Sequence, residues 1–158
     1  MTVAGANRYV KAVLWDMDGT LMNSQPIWDE SFRRRCRERG GTVTPEQVAG
    51  IAGASIARTR EIIADTGATP SPEDPATAEV FARIAADVGE AVRADPPILP
   101  GARRITSMLS EIGLAQVIVT QSPRPIVESV AHALGDVFVE LVTGDDGLPG
   151  KPTPAPYA

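Results

Sequence analysis

A short apolar run ends directly in two aspartates, and this junction constrains the fold more than any other feature of the sequence. Residues Tyr9 to Trp15 (YVKAVLW) are rich in residues that favour β-strands, and Asp16 follows at once. The run is mostly apolar rather than alternating, as expected of a strand that is buried on both faces of a parallel sheet. Ligands of open α/β proteins bind where such strands end, so the sequence predicts a site beside Asp16.

Two further apolar runs, with helical patterns between them, extend the α/β prediction. The predicted second and third strands are Gln116 to Thr120 (QVIVT) and Val137 to Thr143 (VFVELVT). Strands that are separated by helices form a parallel sheet. A helical block from about Met22 to Asp95 lies between the first two strands. It is too long for a simple crossover and is predicted to be an inserted subdomain.

Two helix starts within that block can be read from capping residues. Thr44 to Gln47 (TPEQ) predicts an N-cap followed by proline and a capping-box glutamine, and Ser55 is a second predicted N-cap. One predicted helix carries a core stripe at four-residue spacing, formed by Trp28, Phe32 and Cys36. The basic run Arg33 to Arg35 on the same helix is predicted to be a solvated face.

Composition excludes several classes of protein. The chain has 158 residues, a formal net charge of −5 and one cysteine, Cys36. A disulfide within the chain and a cysteine-based zinc site are therefore excluded, and the acidic balance argues against nucleic acid as a partner. No apolar run approaches the roughly 20 residues needed to span a bilayer. Met1 to Ala12 lacks the apolar segment of a signal peptide. We therefore expect a soluble, cytoplasmic protein without a membrane partner.

The aspartate pair itself points to acid–base or nucleophilic chemistry. Asp16 and Asp18 are two residues apart, and Gly19 allows the backbone to turn just beyond them. Close carboxylates repel each other, which favours a bound cation or a division of roles between nucleophile and general acid/base. A plain turn with aspartate caps is the alternative. A calcium loop is excluded because its twelfth position is Ile27 rather than glutamate.

Three segments in order fit one known pattern. They are Val13 to Leu21 (VLWDMDGTL), Val117 to Thr120 (VIVT), and Gly150-Lys151-Pro152. Together they resemble the three successive motifs of the haloacid dehalogenase (HAD) superfamily of phosphohydrolases. The helical insertion resembles the small cap of the phosphoglucomutase-like branch. The resemblance implies an α/β fold with a Rossmann-like parallel sheet, in which residues 1–22 and 96–158 form the HAD core and residues 23–95 form an α-helical cap.

By that resemblance, the chain is a Mg²⁺-dependent phosphohydrolase of small phosphorylated metabolites. Asp16 is implied to be the nucleophile that forms an aspartyl-phosphate. Asp18 is implied to protonate the leaving oxygen and then to activate water. Mg²⁺ is implied to bind the Asp16 carboxylate and the Asp18 backbone carbonyl, since it prefers hard oxygen ligands. The residues implied to bind phosphate are Gly19, Thr20, Thr120, Gln121 and Lys151; such groups offset the like charges that meet in phosphoryl transfer.

Lys151 stands out independently of the resemblance. The chain has thirteen arginines and two lysines, Lys11 and Lys151. Where arginine is the usual cation, a lysine can reflect the need for a compact point charge. The remaining candidates are weaker: His132 is predicted to be a structural or surface residue, and the segment Ala49 to Arg58 resembles the substrate-facing loop of the cap, through Gly53, Ser55 and Arg58.

The chain also departs from the family pattern. Gln121 and Ala155 stand where the family often has asparagine and aspartate. Relatives continue into a fourth motif whose acidic residues complete the Mg²⁺ site, and Asp145 and Asp146 do not match it. We therefore expect that the C-terminal part of the core is absent from this chain. The first strand would then have an unpaired edge suited to self-association. The alternative functions are a sugar-phosphate mutase and a catalytically incomplete fragment that acts only in binding.

Overall fold

The sheet has three parallel strands and confirms the predicted α/β class. The computed structural model describes residues 10–158. The strands are β1 (Ala12–Trp15), β2 (Ala115–Val119) and β3 (Glu140–Val142), in the spatial order β1-β2-β3. Trp15 is paired with Ile118 and Ile118 with Leu141, so the carboxyl ends of all three strands meet at one edge.

The predicted third strand is too long. β3 covers Glu140–Val142 only, and not Val137 to Thr143. Asp136 has a φ of 53°, so the chain is still turning just before the predicted start. After the strand, the Thr143 amide donates to Asp146 Oδ2 at 2.8 Å rather than to a neighbouring strand. The predicted first strand began at Tyr9, which lies outside the described residues.

The long helical block folds into four helices. They are α1 (Gln25–Glu38), α2 (Pro45–Gly50), α3 (Ile56–Asp65) and α4 (Pro75–Ala94). The predicted capping box is present, because the Gln47 amide donates to Thr44 Oγ1 at 3.2 Å while the Thr44 amide donates to Gln47 Oε1 at 2.9 Å. Ser55 caps α3 as predicted.

The rest of the chain supplies the helices that cover the sheet. They are α5 (Ala102–Glu111) and α6 (Arg124–Ala133), and the described chain ends in a single 3-10 turn, Ala155–Tyr157. Buried Gln116 connects the layers: its side chain accepts from Trp15 Nε1 at 3.0 Å and donates to the Thr106 carbonyl at 2.8 Å. Among residues 10–158, no helix is both long and apolar enough to cross a membrane.

Two apolar clusters share helix α4. One contains Leu21 and much of α6, together with Val88 and Val92 from the C-terminal half of α4. The other lies among α1 to α4 and contains Phe32, Cys36 and Ile84. Cys36 is fully buried, and the apolar surroundings raise the pKa of its thiol. Helix α4 therefore holds the helical block against the rest of the molecule.

The two chain crossings between the sheet region and the helical block lie side by side. The Asn23 amide donates to the Pro97 carbonyl at 2.9 Å, and the Leu99 amide donates to the Leu21 carbonyl at 2.9 Å. These bonds make a short antiparallel pairing between the segment that enters the block and the one that leaves it. The crossings coincide with the boundaries predicted near residues 22 and 96, although the division into domains itself stays a prediction.

The basic run on α1 is not simply a solvated face. Arg35 makes a two-point contact with Asp87 of α4, at 2.8 Å from Nε and 2.6 Å from Nη2. Ser31 and Arg34 also bond Asp87. The hydrogen bonds from Arg35 hold the pKa of the Asp87 carboxyl well below its usual range. The solvated-face prediction is therefore wrong for Arg35, whose partner lies 52 positions away and cannot be read from local pattern.

Candidate active site

A tight turn after β1 presents the two aspartates. The amides of Thr20, Leu21 and Met22 all donate to the Met17 carbonyl, at 3.2, 2.8 and 3.1 Å. Gly19 has a φ of 83°, a conformation that glycine adopts without steric cost. Met17 is fully buried. Because alternate residues of an extended chain point the same way, Asp16 and Asp18 lie together on the opposite side from it.

Asp16 is paired with the predicted lysine. The Lys151 ammonium contacts Asp16 Oδ1, and Thr20 Oγ1 lies 3.4 Å from Asp16 Oδ2. The two side chains are separated by 135 positions. The structure therefore brings together two of the three segments that fit the family pattern, the one with Asp16 and the one with Lys151.

Asp18 is held by two serines. Ser24 Oγ contacts Asp18 Oδ1, and Ser122 Oγ donates to Asp18 Oδ2 at 2.7 Å. Sequence reasoning missed both serines. In the structure, Ser24 is the N-cap residue of α1 but makes no side-chain cap hydrogen bond. Its hydroxyl is committed to Asp18 instead.

The residues after β2 form the floor of the site. Thr120 is 4% exposed, and its Oγ1 accepts from the Ser122 amide at 3.1 Å, which leaves the hydroxyl proton free to donate. Gln121 lies against Gly150, where an added Cβ would come within 2.6 Å of Gln121 Oε1. The lysine-bearing loop therefore packs directly on the residue that departs from the family's usual asparagine.

A cavity of about 260 Å³ opens beside these groups. All the predicted site residues except Thr20 line this cavity. Thr20 does not line it but contacts Asp16, which does. The helical block contributes the opposite wall. Besides Gly53, four of its residues belong to the segment Ala49 to Arg58, which resembles the substrate-facing loop of a cap: Ile51, Ala52, Ala54 and Ile56. Sequence reasoning had not proposed a place at the site for the others, which are Asn23, Gln25, Trp28, Thr59 and Phe81.

The weaker candidates separate clearly. Gly53 lines the cavity. Ser55 accepts from the Arg58 amide at 3.2 Å, and the Arg58 guanidinium pairs with Glu61 at 2.7 Å, so neither side chain lines it. His132 is 84% exposed and pairs with Asp136 at 3.0 Å.

Asp145 and Asp146 also lie outside the cavity wall. Asp146 accepts from the Thr143 amide and from Arg124, and these bonds lower the pKa of its carboxyl. Asp145 accepts from the Arg124 amide at 2.6 Å. Both acids thus support the β3 loop.

The oxygen groups after β1 fit a divalent cation as a partial ligand set. The turn's backbone bonds use the carbonyls of Met17 and Met22 and leave the Asp18 carbonyl without a backbone donor in the described part of the chain. With the Asp16 carboxylate, this gives two hard oxygen ligands. Between residues 10 and 158, no three His, Cys, Asp or Glu side chains form a cluster that could hold a metal. Mg²⁺ commonly takes one or two protein ligands and completes its shell with water and phosphate.

Comparison with known proteins identifies the family. Residues 10–158 match the model of the haloacid dehalogenase-like hydrolases. The chain belongs to this family of hydrolases, which confirms the resemblance seen in the sequence.

Characterised relatives and solved structures agree with that assignment. The chain is 31% identical over 153 residues to validoxylamine A 7'-phosphate phosphatase of Streptomyces hygroscopicus subsp. limoneus, covering 94% of this chain and 68% of the relative. It is 27% identical over 154 residues to hexitol phosphatase B of Escherichia coli K12, with 95% and 68% coverage. The crystal structure of β-phosphoglucomutase from Clostridium difficile superposes with a TM-score of 0.77 at 16% identity, over 94% of this chain and 68% of that one.

Proposed function

We propose that this protein hydrolyses phosphate monoesters of small metabolites through an aspartyl-phosphate on Asp16. The observation that carries the proposal is the pairing of Asp16 with Lys151 beside a second carboxylate, Asp18, at the wall of one cavity. This is the arrangement that nucleophilic attack on a phosphoryl group needs: a carboxylate, a fixed cation and a proton donor within reach. The phosphatase names of the relatives add support.

In the first half of the reaction, an Asp16 carboxylate oxygen attacks phosphorus and the bond to the ester oxygen breaks. Asp18, in its protonated form, gives its proton to that leaving oxygen, so an alcohol departs. Ser24 and Ser122 hold the Asp18 carboxyl in place for this transfer. In the second half, Asp18 takes a proton from water, which attacks phosphorus and releases inorganic phosphate and the Asp16 carboxylate.

Donors around the cavity are proposed to hold the phosphate oxygens throughout. Lys151 supplies a positive charge, the Thr120 hydroxyl has a free proton, and the Gln121 side chain lies at the same wall. Gly19 and Thr20 lie on the turn after β1, where backbone amides and a hydroxyl can assist. Their contribution is electrostatic stabilisation of charge that builds up in the transition state.

Mg²⁺ is proposed as the cofactor. The Asp16 carboxylate and the Asp18 carbonyl would hold it. When bound, it would neutralise part of the charge on the phosphoryl group and orient it toward Asp16. Residues 23–95 are proposed to act as a cap over the site, with the paired crossings at Asn23 and Leu99 as the connection. A cytoplasmic location stays a prediction.

A sugar-phosphate mutase is the second candidate function. The specific observation in its favour is the fold shared with β-phosphoglucomutases, including a structure from Bacteroides vulgatus described as a putative one, at 26% identity and a TM-score of 0.71. Product analysis on a hexose phosphate separates the two. A mutase returns an isomeric phosphate, whereas a phosphatase returns free sugar and inorganic phosphate.

Self-association through β1 is also proposed. Within the described residues, β1 pairs on one side only, and Leu14 on this strand is 44% exposed. An apolar strand edge favours pairing with a second copy. Sedimentation of the wild type and of Leu14→Lys tests this; a monomeric wild type at micromolar concentration would contradict it.

The main experiment compares wild type with Asp16→Asn on a generic phosphate monoester in the presence of Mg²⁺. Asparagine keeps the size of the side chain but removes the nucleophilic carboxylate. We expect phosphate release by the wild type and loss of release in the variant. Equal activity of the two proteins would refute the proposed role of Asp16, and an inactive wild type would support the catalytically incomplete alternative.

A further inference from the structure

The charges on the cavity wall are few and all lie on one side. Of the described side chains that line the cavity, three are ionisable: Asp16, Asp18 and Lys151. All three come from the loops at the carboxyl edge of the sheet. Lys151 already contacts Asp16. The ammonium group of Lys151 would therefore have to interact with both the Asp16 carboxylate and the phosphate group of a bound substrate.

The wall from the helical block is uncharged. Trp28 of α1, Ile56 of α3 and Phe81 of α4 are half-buried and give it a broad apolar surface. The polar groups on this side include two amides, Asn23 and Gln25. Gln25 Nε2 donates to Asp29 Oδ1 at 2.6 Å, which fixes the orientation of that amide and leaves its Oε1 available to accept.

Arg58 of the helical block is paired with another residue of its own helix and supplies no charge to the cavity wall. Arg58 pairs with Glu61 one turn further along α3, and its side chain is 57% exposed. It does not line the cavity. A second anionic group on a substrate would therefore meet two carboxylates and one ammonium that is already engaged. Placing a charge there without a partner is costly.

We propose that the substrate is a phosphate monoester whose organic part is uncharged and carries hydroxyl groups. This inference rests on the proposed phosphatase function and names its substrate class. The apolar face of a sugar or polyol would lie against Trp28 and Phe81, since carbon-bound hydrogens pack well on aromatic rings. Hydroxyl groups would bond Asn23 and Gln25. Phosphorylated carboxylic acids and bisphosphates would bind poorly, because their second negative charge would have no positively charged partner in the site. A site can discriminate against a ligand in this way, by leaving one of its charged groups unpaired.

A matched pair of esters tests the charge rule. Glucitol 6-phosphate and 6-phosphogluconate share a six-carbon chain and differ at carbon 1, which is an alcohol in one and a carboxylate in the other. We expect kcat/KM for glucitol 6-phosphate to be higher by about tenfold or more. Equal values, or a preference for the acid, would overturn the inference.

Two arginine substitutions sharpen the test. Ala52 is exposed and lines the cavity, so Ala52→Arg adds a cation to the uncharged wall. Ala57 is exposed on α3 and does not line it, so Ala57→Arg adds the same charge elsewhere. Ala52→Arg should lower the ratio of kcat/KM for glucitol 6-phosphate to kcat/KM for 6-phosphogluconate by severalfold. Ala57→Arg should leave this ratio unchanged. If a folded Ala52→Arg protein keeps the wild-type ratio, the cap wall does not set the charge preference.

Binding measurements keep this inference separate from the proposed reaction. Calorimetry with Asp16→Asn measures the affinity for each ester without turnover. Tighter binding of glucitol 6-phosphate supports the substrate class even if the wild type hydrolyses neither ester, in which case only the reaction is refuted. Equal binding, tighter binding of 6-phosphogluconate, or binding of neither ester refutes the substrate class.

Discussion

Ser122 donates a 2.7 Å hydrogen bond to Asp18 across 104 positions of sequence, and it joins the loop after β2 to the loop after β1. Ser24, at the start of α1, contacts the other oxygen of the same carboxyl group. Asp18 is therefore held from the sheet and from the helical block at once. Its orientation depends on both parts of the molecule being in place.

Ser122→Ala is expected to lower kcat by about tenfold with little change in KM, because it removes one of the hydrogen bonds that orient the Asp18 carboxyl group for proton transfer. Steady-state kinetics on a phosphate monoester measure this. Ser129→Ala is the matched control, since the Ser129 hydroxyl bonds a backbone carbonyl of its own helix. If both variants retain wild-type kcat, Ser122 does not position Asp18.

Lys151→Met is expected to lower kcat/KM by about a hundredfold, because it removes the fixed positive charge at the nucleophile. Lys151→Arg should not restore the rate, since the planar guanidinium cannot replace a compact ammonium held against Asp16. Lys11→Met, which changes the other lysine, serves as the control and should be neutral. A Lys151→Met enzyme with normal kinetics would remove this residue from the site.

Gly150→Ala is expected to displace the side-chain amide of Gln121 from its place at the cavity wall, since the added Cβ would lie 2.6 Å from Gln121 Oε1. The expected cost is on the order of tenfold in kcat/KM, as for a small misplacement of a catalytic group. Shortening the Gln121 side chain should relieve this close contact. Gly150→Ala should therefore lower kcat/KM less in a Gln121→Ala background than in the wild type. An equal loss of kcat/KM in both backgrounds would mean that the contact with Gln121 does not cause the effect of Gly150→Ala.

Asp87→Asn is expected to lower the free energy of unfolding at pH 7 by about 1–2 kcal/mol, because the charge-assisted bonds from Arg35 and Ser31 are weakened. The pKa of Asp87 is lower in the folded protein than in the unfolded chain. Its stabilisation is therefore complete above the unfolded value of about 4 and is lost as the pH falls toward the folded one.

Urea unfolding of the wild type and Asp87→Asn at several pH values checks this expectation. The difference between them should be constant from pH 7 to about 5 and should shrink below about 4. Glu79→Gln, which changes a half-exposed ion pair on the same helix, should have a small effect. A difference that grows on acidification would contradict the assignment.

The sequence predicted the parts of the site that are local in the chain. Asp16 and Asp18 follow a strand that apolar pattern reveals, and the carboxyl edge of a parallel sheet is set by chain order. Lys151 was predicted to lie at the site because it belongs to the third motif and because lysine is rare in this chain. Ser24 and Ser122 were missed because a hydroxyl gains a partner only through tertiary contact, and serine is common at helix starts and loops for other reasons.

The errors in the predicted fold also arise from tertiary contacts that the local sequence does not show. Val137 and Phe138 have the composition of a strand, yet Phe138 packs against the core from the loop that leads into β3. Arg35 was predicted to be solvated because its local neighbours are polar, whereas its partner Asp87 lies on another helix. Apolar pattern reports burial, but it does not report which backbone conformation achieves it.

The central claim is that the phosphoryl group passes through Asp16. Borohydride reduces an aspartyl-phosphate to homoserine, so brief reaction with a phosphate monoester and Mg²⁺, followed by reduction and peptide mass spectrometry, identifies the residue. With an activated ester such as 4-nitrophenyl phosphate, whose leaving group needs no proton, Asp18→Asn should raise the yield by slowing the release of phosphate. Asp16→Asn should give no homoserine. The account predicts homoserine at position 16. Hydrolysis that proceeds without modification there, together with full activity of Asp16→Asn, would contradict it.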